Sequence, residues 1–209
     1  MASSVIHLAI ANEINKILKK DSSKLLIGSI APDISKIVGE TKEKSHFLDD
    51  VNDDLPNMER FLKKYKNDIN DDFVLGYYIH LYTDYLWFKY FMTEITDKKF
   101  ITRLDGTVVK IDEDTLCEYV YNDYTNLNIK LIDRYNLDLK IFYNEVPNIK
   151  VIINEIPIDK LNLIIDKAGI ILANTKEQKE YVFDIQNVEK FINLSIELIR
   201  DDLNKILYS

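Results

Sequence analysis

Residues 71–93 read Asp-Asp-Phe-Val-Leu-Gly-Tyr-Tyr-Ile-His-Leu-Tyr-Thr-Asp-Tyr-Leu-Trp-Phe-Lys-Tyr-Phe-Met-Thr. Asp71 and Asp72 suit a helix start. Behind them Val74, Tyr78, Leu81, Tyr85 and Phe88 step by four and three, the spacing of a buried helical seam, and a helix is expected over Asp72–Thr93. On its other side His80 and Asp84 stand one turn apart, sharing a face with Phe73 and Tyr77. Burying a bare carboxylate costs several kcal/mol unless a cation or several donors compensate it, so an inward Asp84 points to a metal ion or to a hydrogen-bonded Asp–His pair. Gly76, one turn before His80, costs about 1 kcal/mol relative to alanine inside a helix, which points to a close neighbour needing the space.

Outward from this helix the pattern stays helical. Toward the N-terminus a helix is expected over Ser4–Lys20, capped by Ser3 or Ser4, with Val5, Ile10, Ile14, Ile17 and Leu18 near the helical period. A second covers Ser22–Ile30 and stops at Ala31-Pro32. Residues Ser35–Asp54 read as a polar irregular segment, and Pro56 opens a helix to about Tyr65. Toward the C-terminus, Phe100–Ile111 turns through Asp105-Gly106 and reads as a small β-hairpin. Helices then resume over Glu113–Tyr135, Ile158–Ala173 and Asp184–Leu207, while the β-branched stretch Lys150–Asn154 between Pro147 and Pro157 is left unassigned. The expected fold is all-α, one helical domain over residues 1–209 with a hairpin near 100–111.

Composition narrows the function classes. The chain of 209 residues is 46% hydrophobic with five glycines and four prolines, enough apolar residue for a full core. A net charge of −8 disfavours a polyphosphate backbone, so duplex nucleic acid is not an expected partner. The single cysteine, Cys117, excludes an internal disulfide framework and reads as a buried, inert thiol. Met1–Leu18 lacks a basic leader pattern, and His80, Asp84 and Lys89 interrupt the longest apolar run. The expected location is the cytoplasm, with no transmembrane segment. The acidic run Asp49, Asp50, Asp53 and Asp54 lacks the glycine and terminal glutamate of a calcium loop and reads as solvated.

All three histidines fall within the first 80 residues. His7 lies on the apolar side of the first helix, and its ordinary reading is a core histidine. Asp33 follows Gly28-Ser29-Ile30-Ala31-Pro32, where a turn aspartate is common. His46, in Ser45-His46-Phe47, reads in isolation as a surface histidine. Taken in order, a helix with an apolar-face histidine, a Gly-x-x-Ala-Pro-Asp turn, a Ser-His-Phe loop and a helical Gly-x-x-x-His-x-x-x-Asp resemble the zinc-dependent phospholipase C family. That family has a helical bundle related to the S1/P1-type nucleases. The resemblance extends over roughly the first 95 residues.

It implies a metal site of Asp33, His46, His80 and Asp84, with His7 supporting an adjacent ion and Asp33 or Asp84 bridging. Imidazole and carboxylate ligands suit zinc and also accept manganese or iron. The exported members of the family add an N-terminal residue and later histidines. No histidine follows His80 here, so one ion is expected, or two if a carboxylate such as Glu118 or Asp123 joins. The implied activity is hydrolysis of a small phosphoester or a phospholipid head group by a metal-activated water, with Asp33 orienting that water or accepting its proton. The alternative is a non-catalytic helical protein, in which the Asp/His cluster is a structural metal site or a relic and the surface binds a partner.

Overall fold

The computed structural model describes residues 1–176 and 179–208 of the chain. Ten α-helices follow one another: α1 (Ser4–Leu18), α2 (Ser22–Gly28), α3 (Ile34–Val38), α4 (Lys42–Ser45), α5 (Met58–Tyr65), α6 (Asp72–Leu86), α7 (Met92–Ile95), α8 (Glu113–Tyr135), α9 (Leu161–Ala173) and α10 (Ile185–Tyr208). Between α7 and α8 an antiparallel pair, β1 (Phe100–Thr102) and β2 (Val108–Lys110), sets Phe100 opposite Lys110 and Thr102 opposite Val108. Helix makes up 66% and strand 3%, so the fold is all-α with a hairpin excursion, as expected. In the hairpin loop Gly106 takes φ +81°, a conformation glycine adopts freely, and Asp105 accepts the Thr107 N–H.

Helix α6 is the axis of the molecule. Every residue from Phe73 to Leu81 is buried, so the helix is covered all round rather than along the one seam its periodicity suggested. Helices α1, α2, α5 and α10 pack around it, and α8 packs on α1 and α10. The cap signals held: Asp71 accepts the N–H groups of Phe73 and Val74, and Ser3 accepts that of Ile6. The helix leaves the α path one turn after Asp84, through a π turn over Trp87–Phe91. There Trp87 packs on Phe91, Tyr124, Phe183 and Phe191.

Gly76 explains how α2 comes so near. A Cβ built there would lie 2.1 Å from the Leu25 carbonyl oxygen, and one built on Gly28 would lie 2.3 Å from that of Phe73. The two glycines thus let two helix backbones touch.

Some expectations are corrected. The segment read as irregular over residues 35–54 contains α3 and α4, two short helices held by burial of Ile34, Ser35 and Ser45 rather than by strong patterning. Asn57 caps α5, so Pro56 lies ahead of the helix rather than in its first turn. Cys117 is exposed, because it falls on the solvent side of α8. Residues 150–154 form no helix or strand.

Asp123 accepts the backbone N–H groups of Tyr181, Val182 and Phe183 at 2.8, 2.7 and 3.1 Å. It therefore anchors the approach to α10 and takes no part in the histidine cluster, and Glu118 is exposed. No helix among the described residues is long and apolar enough to cross a membrane.

Candidate metal centre

The five residues singled out in the sequence meet at one place. His7 comes from α1, Asp33 from the 3-10 turn Ala31–Asp33 after α2, His46 from the end of α4, and His80 and Asp84 from α6. All are buried, Asp33 at 8% exposure and the others at 2% or less. His46 is therefore not the solvated loop residue its neighbours suggested.

Their ligand atoms converge at spacings of 3.3–3.7 Å. His80 Nε2 lies 3.3 Å from His46 Nε2 and 3.7 Å from Asp84 Oδ2. His46 Nε2 lies 3.5 Å from Asp33 Oδ1 and 3.7 Å from Asp84 Oδ2. His7 Nε2 is 3.4 Å from Asp84 Oδ1, and its ring stacks on that of His80 with centroids 3.8 Å apart. Two overlapping triads result, His7/His80/Asp84 and Asp33/His46/His80, each with its ligand atoms within 4.8 Å of one another.

The outer contacts fix which atoms face inward. His80 Nδ1 sits 2.8 Å from the Ser29 carbonyl oxygen, which can only accept, so Nδ1 carries the proton in the neutral ring. Nε2 is then a bare lone pair. Burial pushes the His80 pKa down to about 3, with His7 adding to the effect and Asp84 opposing it. His46 Nδ1 lies 2.9 Å from Ser45 Oγ, and the Tyr77 hydroxyl donates to the Ser45 carbonyl. Phe47, next in the chain, takes φ +55°, a left-handed conformation uncommon for a large side chain. The turn that aims His46 is thus held by packing against local preference.

Asp84 Oδ1 accepts the Ala2 backbone N–H at 3.1 Å. Burial would raise both carboxyl groups, but the imidazoles outweigh it: His46 chiefly for Asp33 and His7 chiefly for Asp84, each held well below the usual carboxylate range.

The cluster fits a divalent ion on the chemistry of its donors. Hydrogen bonds here would be expected at about 2.7–3.2 Å, and these contacts are longer. Both ring nitrogens of His7 and Oδ1 of Asp33 are buried without a hydrogen-bond partner. Ligands about 2.0–2.1 Å from a tetrahedral ion stand about 3.3 Å apart, close to the spacing observed. A cavity of about 10 Å³, room for one water, opens beside His46 and Asp84 and is bordered by Met1, Lys42, Leu48, Asp53, Asp54 and Phe88.

Sequence reasoning missed the outer contacts, because a backbone carbonyl such as that of Ser29 leaves no residue-type signal. Gly76 was the one visible sign of a close neighbour at α6, and that neighbour is α2. No family model, curated protein or solved structure matches the chain.

Proposed function

We propose that the protein is a metal-dependent phosphoester hydrolase resembling the zinc-dependent phospholipase C family, and that its helical bundle is of that type. The observation that carries this reading is the convergence of three imidazoles and two carboxylates, their inward atoms spaced for an ion, with His7 Nε2 and Asp33 Oδ1 lacking hydrogen bonds. His7, Asp33, His46, His80 and Asp84 would hold the metal. A donor set of nitrogen and oxygen favours zinc, while accepting manganese or iron. The two triads share His80 and accommodate one ion or two. When bound, a divalent ion lowers the pKa of water and polarises a phosphoryl oxygen.

The chain's own residues do the rest. Ser29 locks the His80 tautomer, and Tyr77 braces the turn that carries His46. Asp33, the most exposed of the five, would orient the water or accept its proton. Leu48 and Phe88 supply the apolar part of the cavity lining, beside the charged Lys42, Asp53 and Asp54.

A second reading, a closed structural site in a binding protein, is favoured by the depth of His7, His80 and Asp84 and by the small cavity.

Elemental analysis of the purified protein tests the metal. About one or two equivalents of zinc, manganese or iron are expected, and loss of that metal in Asp84→Asn and His80→Ala. Unchanged metal content in both variants would remove the proposed site. With metal bound, turnover of phosphodiester or phosphomonoester substrates above a His46→Ala control supports the hydrolase, and its absence leaves the structural site.

A further inference from the structure

Lys42 stands at the mouth of the cavity with His46 and Asp84, at the start of α4, where it is partly buried. Among the described residues it has no carboxylate within ion-pairing distance. Burial lowers its pKa first and the like charge of Lys36 on α3 adds to this, with Asp84, Asp33 and Asp54 opposing. A partly buried ammonium with no carboxylate partner beside a cavity is an unfavourable arrangement in the absence of an anion. Of the acidic residues on the rim, Asp54 is paired with Lys98 and Asp53 accepts the Asp50 N–H.

Charge balance adds to this. With a divalent ion in the cluster, the carboxylates of Asp33 and Asp84 are neutralised and no longer compensate the lysines. Among the cavity-lining residues Lys42 is then balanced by Asp53 and Asp54, the latter paired with Lys98. Beside Lys42 the part-exposed Phe88 offers an apolar surface, and the cavity behind, at about 10 Å³, admits a water rather than a whole substrate.

We propose that Lys42 is the anion-recognition point of this site, donating to a non-bridging phosphoryl oxygen docked at the cavity mouth while the organic part of the ester rests outside on Phe88. This inference rests on the metal-site reading and makes the substrate class an anionic phosphoester. Lys42 is a positioning residue that supplies no metal ligand.

The test uses the full chain loaded with zinc, excess removed, and titrated with inorganic phosphate by calorimetry. Zinc content is measured on the same samples. Lys42→Gln is expected to keep its zinc and weaken phosphate binding about tenfold or more, the effect of losing one charge-assisted hydrogen bond. Lys42→Arg should restore binding to within about threefold of the native protein, and Lys36→Gln should lose less than Lys42→Gln. Equal phosphate affinity in zinc-loaded native protein and Lys42→Gln overturns the inference and leaves the metal site standing, as does zinc-loaded native protein that binds no phosphate. Native protein that binds no zinc overturns the metal reading and this inference together.

Discussion

Replacing Gly76 by alanine sets two effects against each other, and the structure decides between them. On helix propensity alone the change should stabilise α6 by about 1 kcal/mol. The added Cβ, however, would sit 2.1 Å from the Leu25 carbonyl oxygen and 3.0 Å from the Ser29 nitrogen, where ordinary contact begins near 3.4 Å. Relief therefore requires α2 and α6 to part by about 1 Å, and since both sides are backbone no rotamer change can absorb it. Overpacking of this kind costs about 1–3 kcal/mol, and a backbone clash belongs at the upper end.

A net loss of about 2 kcal/mol is expected, a fall in Tm of about 4–8 °C for a chain of this size. The separation also draws the Ser29 carbonyl away from His80 Nδ1, now 2.8 Å distant, and loss of such an orienting contact lowers metal affinity by about 10–100-fold. Gly169 is the control. It lies in α9, where a Cβ would meet only Phe142 Cδ1 at 3.6 Å, so Gly169→Ala should be neutral or stabilising. The assays are urea unfolding and zinc competition on both variants. A Gly76→Ala protein as stable as Gly169→Ala, with native zinc affinity, would refute the argument that the glycine pair sets the site.

Two further expectations concern stability. The metal-free protein should be acid-labile: burial favours the neutral form of His80, so its contribution is complete above the ordinary histidine pKa of 6.5 and is lost as pH falls from there toward about 3. The depressed carboxyls of Asp33 and Asp84 lose theirs at still lower pH. Urea midpoints from pH 7.5 to 4 in chelator should fall with pH, less steeply in His80→Gln, and a flat profile counts against a neutral buried His80. Separately, Asp123→Ala leaves the amides of Tyr181, Val182 and Phe183 without their acceptor, at a cost of about 3 kcal/mol or more. Hydrogen exchange should quicken at those three amides first, and unchanged protection there would sink the idea that Asp123 anchors the segment.

The helices were legible where local patterning and burial agree. Residues 113–135 and the Asp105-Gly106 hairpin matched, because caps and turn residues act over a few positions. Helices α3 and α4 were not visible, since five and four residues carry too little periodicity and their ends are fixed by what they pack against. Cys117 was misjudged because apolar neighbours at Leu116 and Val120 do not say which side of α8 faces solvent. In the site, the side chains His7, Asp33, His46, His80 and Asp84 were readable from their types and order, and the His80–Asp84 spacing from the helical repeat. What holds them, including the Ser29 carbonyl, the Ala2 amide and the left-handed Phe47, is main-chain geometry that no residue type announces.

The burial of α6 on every side has a consequence for synthesis. Its turn carrying His80 and Asp84 is complete at Asp84, yet Tyr78 reaches its partner Asp202, and Trp87 its partner Phe191, only when α10 is made. At about 5–20 residues per second the ribosome leaves that aromatic flank uncovered for roughly 5–25 seconds. During that interval the nascent chain already carries His7, His46 and His80 next to an uncovered apolar surface. A cation captured then would tie α1, α4 and α6 together before the last helix arrives to close them in.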